Sequence, residues 1–110
     1  MAEWLAITYA EHGISVHCLC PQAVSTGMTP AGSDGGVAGG DGMLSADVVA
    51  TETLAAICEK RFLVLPHKEV LTYWGRKVSD YDRWLKGMGR LHQTFGKMML
   101  GAPNMTAAKL

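Results

Sequence analysis

The chain has 110 residues, with ten basic and ten acidic side chains that leave no formal net charge, and 48% of its residues are apolar. This length suits one soluble globular unit or a piece of a larger one, and the balanced charge lacks the basic field that nucleic acid or an anionic membrane surface requires. The sequence also lacks the roughly 18 to 20 consecutive apolar residues of a membrane span and the ordered regions of a secretory signal. We therefore expect a soluble, non-secreted protein with no nucleic-acid partner and no membrane span.

The first predicted elements are a helix and a strand. Residues 2–12 are mostly good helix formers and stop at Gly13, which readily adopts the left-handed conformation that ends helices. Residues 14–20 are apolar and β-branched at alternate positions and end at Pro21, which predicts a largely buried strand. The three cysteines are an odd number, and two of them, Cys18 and Cys20, share one face of this strand, which favours buried thiols in a reducing compartment over a disulfide framework.

A glycine-rich segment separates this strand from the next elements. Seven of the sixteen residues in 27–42 are glycine, which predicts a mobile loop because little apolar surface is available to fix the backbone. Ser45 is a suitable N-cap for a helix of about four turns that ends near Lys60. Residues 62–65 form a short apolar run before Pro66, which is typical of a strand covered on both faces. The apolar stripe of the predicted helix comprises Val48, Val49, Leu54, Ala55 and Ile57.

Strand, helix and strand in this order predict a βαβ unit with parallel strands, and hence the α/β fold class. C-terminal helices should follow: a short helix through Val70, Leu71 and Trp74, and a longer helix that starts at Ser79 with Asp82 completing a capping box. The apolar face of the longer helix recurs at intervals of three and four residues: Tyr81, Trp84, Leu85, Met88, Leu91, Phe95 and Met98.

Self-sufficient catalytic motifs are missing from the sequence. It contains no G-x-G-x-x-G, no G-x-x-x-x-G-K-[ST], no H-E-x-x-H and no C-x-x-C. The four histidines fall in four different elements, without a cysteine or carboxylate at metal-ligand spacing, so we expect surface or hydrogen-bonded histidines and no metal site. These are His12, His17, His67 and His92.

One segment is more specific: GISVHCLCPQAVSTGM, in which a strand is followed by P-x-x-V-x-T-x-M. It resembles a late strand and the following loop of short-chain dehydrogenases/reductases, and the flanks AEWLAITYAEH, EKRFLVLPHKEV and DYDRWLKGM are also similar to the later part of that family. The resemblance covers nearly all of residues 1–110. It implies a partial Rossmann-like fold, a doubly wound parallel sheet reduced to its last βαβ unit plus C-terminal helices.

The resemblance also implies a coenzyme site for NAD or NADP. In the family, the backbone around the proline and the valine holds the nicotinamide carboxamide, and the threonine hydroxyl reaches the phosphates. Those roles would fall on Pro21, Val24 and Thr26, and on Gln22, which stands where the family usually has glycine. Residues 27–43 would form the substrate loop, with Met28 and Met43 near the substrate.

The groups that the family uses for catalysis are not present in this sequence. Its glycine-rich turn, its catalytic serine and its Tyr-x-x-x-Lys pair all precede the matched segment, and we interpret Tyr73 and Lys77, which are four residues apart, as a coincidence. We therefore expect the C-terminal part of an oxidoreductase for a carbonyl or alcohol substrate, whether an alternative product, a partial gene or a decayed copy. We expect this chain alone to be inactive and its coenzyme binding to be weak.

Two further expectations concern partners. By the same resemblance, the first helix contributes to a dimer interface, with Leu5 and Tyr9 as contacts. The unpaired edge of a small sheet also invites pairing with another chain. The alternative function is thus a non-catalytic interaction module that binds a partner chain, such as another copy or the full-length enzyme.

The last three residues are Ala108, Lys109 and Leu110, which differ from the peroxisomal S-K-L signal at one position. Together with a flexible tail over 101–110, they predict recognition by the peroxisomal import receptor, with a cytoplasmic location as the alternative.

Overall fold

The computed structural model describes residues 1–99, and the chain divides into two units, one ending at Leu71 and one beginning at Thr72. Within the described residues the protein is mixed α/β, as predicted, with short strands that all pair in parallel. The elements in chain order are α1 (Ala2–Thr8), β1 (Cys18–Leu19), β2 (Val24–Ser25), a 3₁₀ helix (Gly36–Gly39), β3 (Leu44–Ser45), α2 (Ala46–Cys58), β4 (Leu63–Val64), α3 (Glu69–Ser79) and α4 (Tyr81–Met99).

β1 and β4 form the predicted strand–helix–strand unit, with α2 between them in sequence. Their parallel register sets Cys18 opposite Leu63, and Leu19 opposite Val64. The Cys20 N–H extends the ladder by donating to the Val64 carbonyl at 3.0 Å. Parallel pairing places the carboxyl ends of both strands at one edge, so the segments that follow them are neighbours.

A second parallel pair, β2 with β3, was not predicted from the sequence. Val24 lies opposite Leu44 and Ser25 opposite Ser45. The Leu44 N–H donates to the Ala23 carbonyl at 3.1 Å. This pairing brings the two ends of the glycine-rich loop together immediately before α2 begins.

The start of α2 is as predicted, but its buried face is not. The Ser45 hydroxyl accepts a hydrogen bond from the Val48 N–H at 3.3 Å, which makes Ser45 the N-cap. Val49 and Ala56, seven residues apart, are buried, whereas three residues of the predicted stripe are exposed. Two-residue strands are too small to cover a wide stripe. The exposed members are Val48, Leu54 and Ile57.

The first two predicted elements are shorter than expected. α1 ends at Thr8 rather than His12, and it buries no residue, so packing does not extend it beyond its marginal intrinsic stability. Residues 14–20 pair only at Cys18–Leu19, because β4 offers a partner of the same two-residue length. The expectation of a largely buried strand is therefore wrong, since Leu19 is 43% exposed.

The thiols also differ from the prediction of buried cysteines. Cys18 and Cys20 are half-buried, and Cys58, the last residue of α2, is exposed. The described core of the first unit is small and comprises Ala23, Val49, Ala56 and Val64, together with one buried polar residue, His67.

The second unit contains most of α3 and the helix α4. The cap of α4 is Asp80 rather than the predicted Ser79: the Asp80 carboxylate accepts from the Arg83 N–H at 3.0 Å. The Ser79 hydroxyl instead donates to the Arg76 carbonyl at the end of α3, at 3.1 Å. In the described part of the chain, no helix is both long and apolar enough to cross a membrane.

Candidate functional site

The predicted coenzyme segment leaves the carboxyl end of β1 and is tied to the segment that leaves β4. Pro21 follows Cys20 at the end of the β1 ladder, and His67 follows Pro66 beyond β4. The backbone N–H of Gln22 donates to Nδ1 of His67 at 3.0 Å. The two carboxyl-terminal segments thus meet at the edge where ligands of parallel α/β sheets bind.

His67 is the buried polar residue at this edge, with 3% of its surface exposed. Since Nδ1 accepts the Gln22 N–H, Nε2 carries the ring proton and donates it to the Gly42 carbonyl at 3.2 Å. From the sequence, each histidine was expected to lie at the surface or to be hydrogen-bonded, and His67 was given no place in the site. Its position directly after Pro66, which ends the predicted strand, could have indicated that His67 lies at the carboxyl end of the sheet.

The side chain of Gln22 forms a direct hydrogen bond to the glycine-rich loop. Its amide nitrogen donates to a carboxylate oxygen of Asp41 at 2.7 Å. Gln22 is the position at which the sequence departs from glycine in the family it resembles, and its side chain is held by the end of the glycine-rich loop. One hydrogen bond therefore connects the segment after β1 directly with Asp41, and His67 connects the same segment indirectly with the Gly42 carbonyl.

The backbone N–H and carbonyl of Val24 lie on the side of β2 that faces away from β3. Val24 is opposite Leu44, and the Leu44 N–H bonds to Ala23, so the groups of β2 that face β3 belong to Ala23 and Ser25. The N–H and carbonyl of Val24 consequently face the edge of β2 opposite β3. On this side the Val24 carbonyl accepts a hydrogen bond from the Thr29 hydroxyl, so the Val24 N–H is the backbone group that could bond to the carbonyl oxygen of a nicotinamide amide.

A pair of threonines follows. The Thr29 hydroxyl donates to the Val24 carbonyl at 2.8 Å, and the Thr26 hydroxyl oxygen accepts from the Met28 N–H at 3.2 Å. The two hydroxyl oxygens are 3.5 Å apart, longer than an ordinary O–H···O hydrogen bond. The Thr26 proton can therefore be donated to a ligand oxygen. Thr29 was not among the predicted site residues, although its T-x-x-T spacing from Thr26 could have indicated it.

The glycine-rich loop packs against the same segment at Ala23. Gly35 has a φ of +81°, and a Cβ built on it would lie 2.6 Å from the Cβ of Ala23. The Ala23 N–H donates to the Ala38 carbonyl at 3.2 Å. Glycine is needed at position 35 both for the backbone conformation and for the close approach.

The remaining predicted site residues differ in their surroundings. Pro21 and Thr26 are exposed, Met28 is 95% exposed, and Met43 is half-buried just before β3. The predicted tail signal at Ala108, Lys109 and Leu110 lies outside the described residues. A shallow cavity of about 220 Å³ lies elsewhere, on the first turns of α2, and is lined by Asp47, Val48, Thr51 and Glu52.

The Tyr73–Lys77 spacing belongs to α3 in the second unit. The Lys77 ammonium lies 4.4 Å from the ring centre of Trp84 and 5.4 Å from that of Tyr81, so it forms cation–π contacts within that unit. Among residues 1–99, no group of three or more His, Cys, Asp or Glu side chains could hold a metal ion.

The residues of the segment fit one end of a dinucleotide. The Val24 N–H would donate to the carboxamide oxygen, and the Thr26 hydroxyl would donate to a phosphate oxygen. Both are neutral groups, so they can orient the coenzyme without neutralising its charge.

The chain matched no protein-family model, and comparison with curated proteins and with solved structures gave no match. The relation to short-chain dehydrogenases/reductases therefore depends on the sequence pattern and stays a prediction.

Proposed function

We propose that this chain is the C-terminal part of an NAD(P)-dependent short-chain oxidoreductase with a partial Rossmann-like fold, and that residues 21–26 form its nicotinamide subsite. The observation that supports the proposal is the backbone N–H of Val24, which faces away from β3 on the segment that follows the carboxyl end of β1 beside the parallel strand β4. Coenzymes of parallel α/β sheets bind just beyond the carboxyl ends of the strands, where this segment begins.

The residues of this chain would bind and orient the coenzyme. Val24 would fix the nicotinamide ring through its backbone, and Thr26 would donate its hydroxyl proton to a phosphate oxygen. His67 and Asp41 would hold Gln22 and so keep the segment at the edge of the sheet. NAD(P), when bound, supplies or accepts a hydride at the nicotinamide ring. Met28 and Met43 would lie on the substrate side, in the loop that is closed by the β2–β3 pair.

Proton transfer would require groups from another part of the parent enzyme. In the family it resembles, the catalytic serine, the Tyr-x-x-x-Lys pair and the glycine-rich turn all precede the matched segment, whereas Tyr73 and Lys77 lie after it, in α3. The isolated chain should therefore bind NAD(H) weakly, with a Kd on the order of 1 mM, and should not oxidise alcohols or reduce carbonyl compounds.

Saturation-transfer difference NMR with millimolar NAD⁺ tests this proposal on the isolated chain. Thr26→Val removes the hydroxyl but keeps the side-chain shape, and it should weaken binding about 10-fold, because a hydrogen bond to a charged phosphate is lost. Thr51→Val is the matched control, since the Thr51 hydroxyl bonds only locally, to the Asp47 carbonyl at 2.9 Å. Equal binding by the two variants, or no saturation transfer to the nicotinamide protons of the wild-type chain, would contradict the proposal.

The second candidate is a non-catalytic module that binds a partner chain. Within the described residues β1 pairs with β4 alone, and α4 exposes Tyr81, Leu85 and Met88 on its apolar face. Unpaired strand edges and exposed apolar faces favour association. Sedimentation of the purified chain distinguishes the candidates: a stable homo-oligomer without NAD⁺ binding favours the module, whereas a monomer with weak NAD⁺ binding favours the coenzyme subsite.

Localisation to peroxisomes is a separate proposal from the sequence of the tail. A fluorescent protein fused before Met1 should be imported into peroxisomes, and deletion of Leu110 should leave the fusion in the cytoplasm. Ala108→Ser, which gives the chain the C-terminal sequence S-K-L, is the positive control. Import of the Leu110-deleted fusion would show that the tail is not the signal.

A further inference from the structure

Two cysteine thiols lie side by side at the end of β1. Cys18 and Cys20 are two residues apart on one strand, so their side chains share a face, and their sulfur atoms are 3.6 Å apart. Both side chains are half-buried, which leaves them accessible to a small reagent. The Cys20 thiol also lies 3.8 Å from the Cys18 carbonyl oxygen.

We propose that Cys18 and Cys20 form a redox-active dithiol that hydrogen peroxide oxidises reversibly to an intramolecular disulfide. The strand rise sets the two Cα atoms about 6.6 Å apart, which is near the upper end of the range that a disulfide spans. The sulfur atoms must approach by about 1.5 Å to bond. Closure is thus feasible but strains the strand, as in labile, regulatory disulfides.

The chemistry proceeds in two balanced steps. The Cys18 thiolate attacks one oxygen of hydrogen peroxide; an S–O bond forms, the O–O bond breaks, and hydroxide leaves and takes the thiol proton as water. Cys20 then attacks the Cys18 sulfur, an S–S bond forms, and the sulfenic oxygen leaves as a second water with the Cys20 proton. Overall, two thiols and one peroxide give one disulfide and two waters.

The electrostatics assign the two thiols different roles. Burial, and then the hydrogen bond and charge of Cys18, raise the pKa of the Cys20 thiol above its ordinary value of 9.0. The raised pKa lowers the thiolate fraction of Cys20, which slows its attack on peroxide. Cys20 is accordingly the resolving thiol, and Cys18 is the one that peroxide oxidises first.

Closure would be transmitted to the sheet and to the segment beyond it. Leu19 lies between the two cysteines and pairs with Val64, and the Cys20 N–H donates to the Val64 carbonyl. Drawing the two Cα atoms together bends the strand at these contacts, immediately before Pro21. Oxidation should therefore loosen the β1–β4 ladder. This inference does not depend on the proposed function, because it concerns only the thiols and the strand.

The test uses the full chain with Cys58→Ser, which removes the exposed third thiol. One molar equivalent of peroxide should consume two thiols and lower the intact mass by 2 Da. Dithiothreitol should reverse the change, and hydrogen exchange at the Cys20 amide should accelerate at least about 10-fold in the oxidised form. The control variant Cys58→Ser/Cys20→Ser should instead trap a sulfenic acid that dimedone labels.

A second measurement covers the case in which peroxide reacts too slowly. Phenylarsine oxide, which bridges neighbouring dithiols, should form a 1:1 adduct with Cys58→Ser and none with Cys58→Ser/Cys20→Ser. A gain of 16 or 32 Da without loss of 2 Da, a covalent dimer of Cys58→Ser, or arsenical binding that does not require Cys20 would overturn the proposal.

Discussion

Three substitutions at His67 separate the two hydrogen bonds of its ring. His67→Asn retains an oxygen acceptor near the position of Nδ1, which bonds to the Gln22 N–H, and loses the donor to Gly42. His67→Gln has its amide nitrogen near the position of Nε2 and loses the acceptor for Gln22. His67→Leu keeps a buried apolar side chain and loses both bonds.

The magnitudes follow from how well water can replace each bond. An unpaired group that stays buried costs about 1 to 3 kcal/mol, while a group that reaches solvent costs much less. Gln22 is half-buried and Gly42 is exposed, so most of the penalty falls on the Gln22 N–H. We expect losses in the free energy of unfolding of about 1 to 2 kcal/mol for His67→Gln and His67→Leu, and below about 0.5 kcal/mol for His67→Asn.

Urea denaturation and amide hydrogen exchange measure these effects. The Gln22 amide should exchange about 5- to 30-fold faster in His67→Leu and His67→Gln than in the wild-type chain, and His67→Asn should retain most of its protection. The ¹⁵N chemical shifts of the wild-type ring should show a proton on Nε2 and none on Nδ1. Unchanged protection of Gln22 in His67→Leu would refute the claim that His67 holds this segment.

Three further predictions concern other parts of the chain. Ser45→Ala should lower the free energy of unfolding by about 1 kcal/mol in urea, because the N-cap of α2 is lost; no change would exclude the cap. Gly32→Ala should lower the free energy of unfolding by about 1 kcal/mol, because the φ of Gly32 is +75°. Gly35→Ala should lower it by about 1 to 3 kcal/mol more, because a Cβ at position 35 also meets the buried side chain of Ala23. Equal losses would contradict the close approach of Gly35 to Ala23. The raised pKa of Cys20 stabilises the folded state fully below the unfolded value near 9.0, and this contribution is lost as pH rises through the folded pKa. Stability should thus fall more steeply above pH 9.0 in the wild-type chain than in Cys20→Ser, and parallel curves would refute the assignment.

Local signals predicted the parts of the fold that local chemistry decides. Ser45 begins α2 because its hydroxyl satisfies a helix N–H, and the apolar run at 62–65 pairs in parallel with the strand before Pro21. Lengths and burial were predicted less well, because they depend on what surrounds each element. Leu19 and Ile57 are apolar yet exposed, since two-residue strands cover little of the surface that an extended pattern would bury.

The candidate site shows the same division between local and long-range information. The motif that contains Pro21, Val24 and Thr26 could be recognised in the sequence. The hydrogen bond between Gln22 and His67 could not, because it joins residues 45 apart and depends on the parallel pairing of β1 and β4. The pairing of β2 with β3 could likewise not be predicted, because the glycine-rich loop between these strands has no periodic apolar pattern. Thr29, by contrast, could have been predicted locally, from its T-x-x-T spacing with Thr26.

The central claim is that residues 21–26 hold a nicotinamide ring, and ¹⁵N NMR of the full chain titrated with nicotinamide mononucleotide tests it most directly. The amide signals of Val24 and Thr26 should shift in a saturable, dose-dependent manner, while the control amides of α1 should not. Shifts confined to the cavity lined by Asp47 and Glu52, or no saturable shift in residues 21–26, would contradict it.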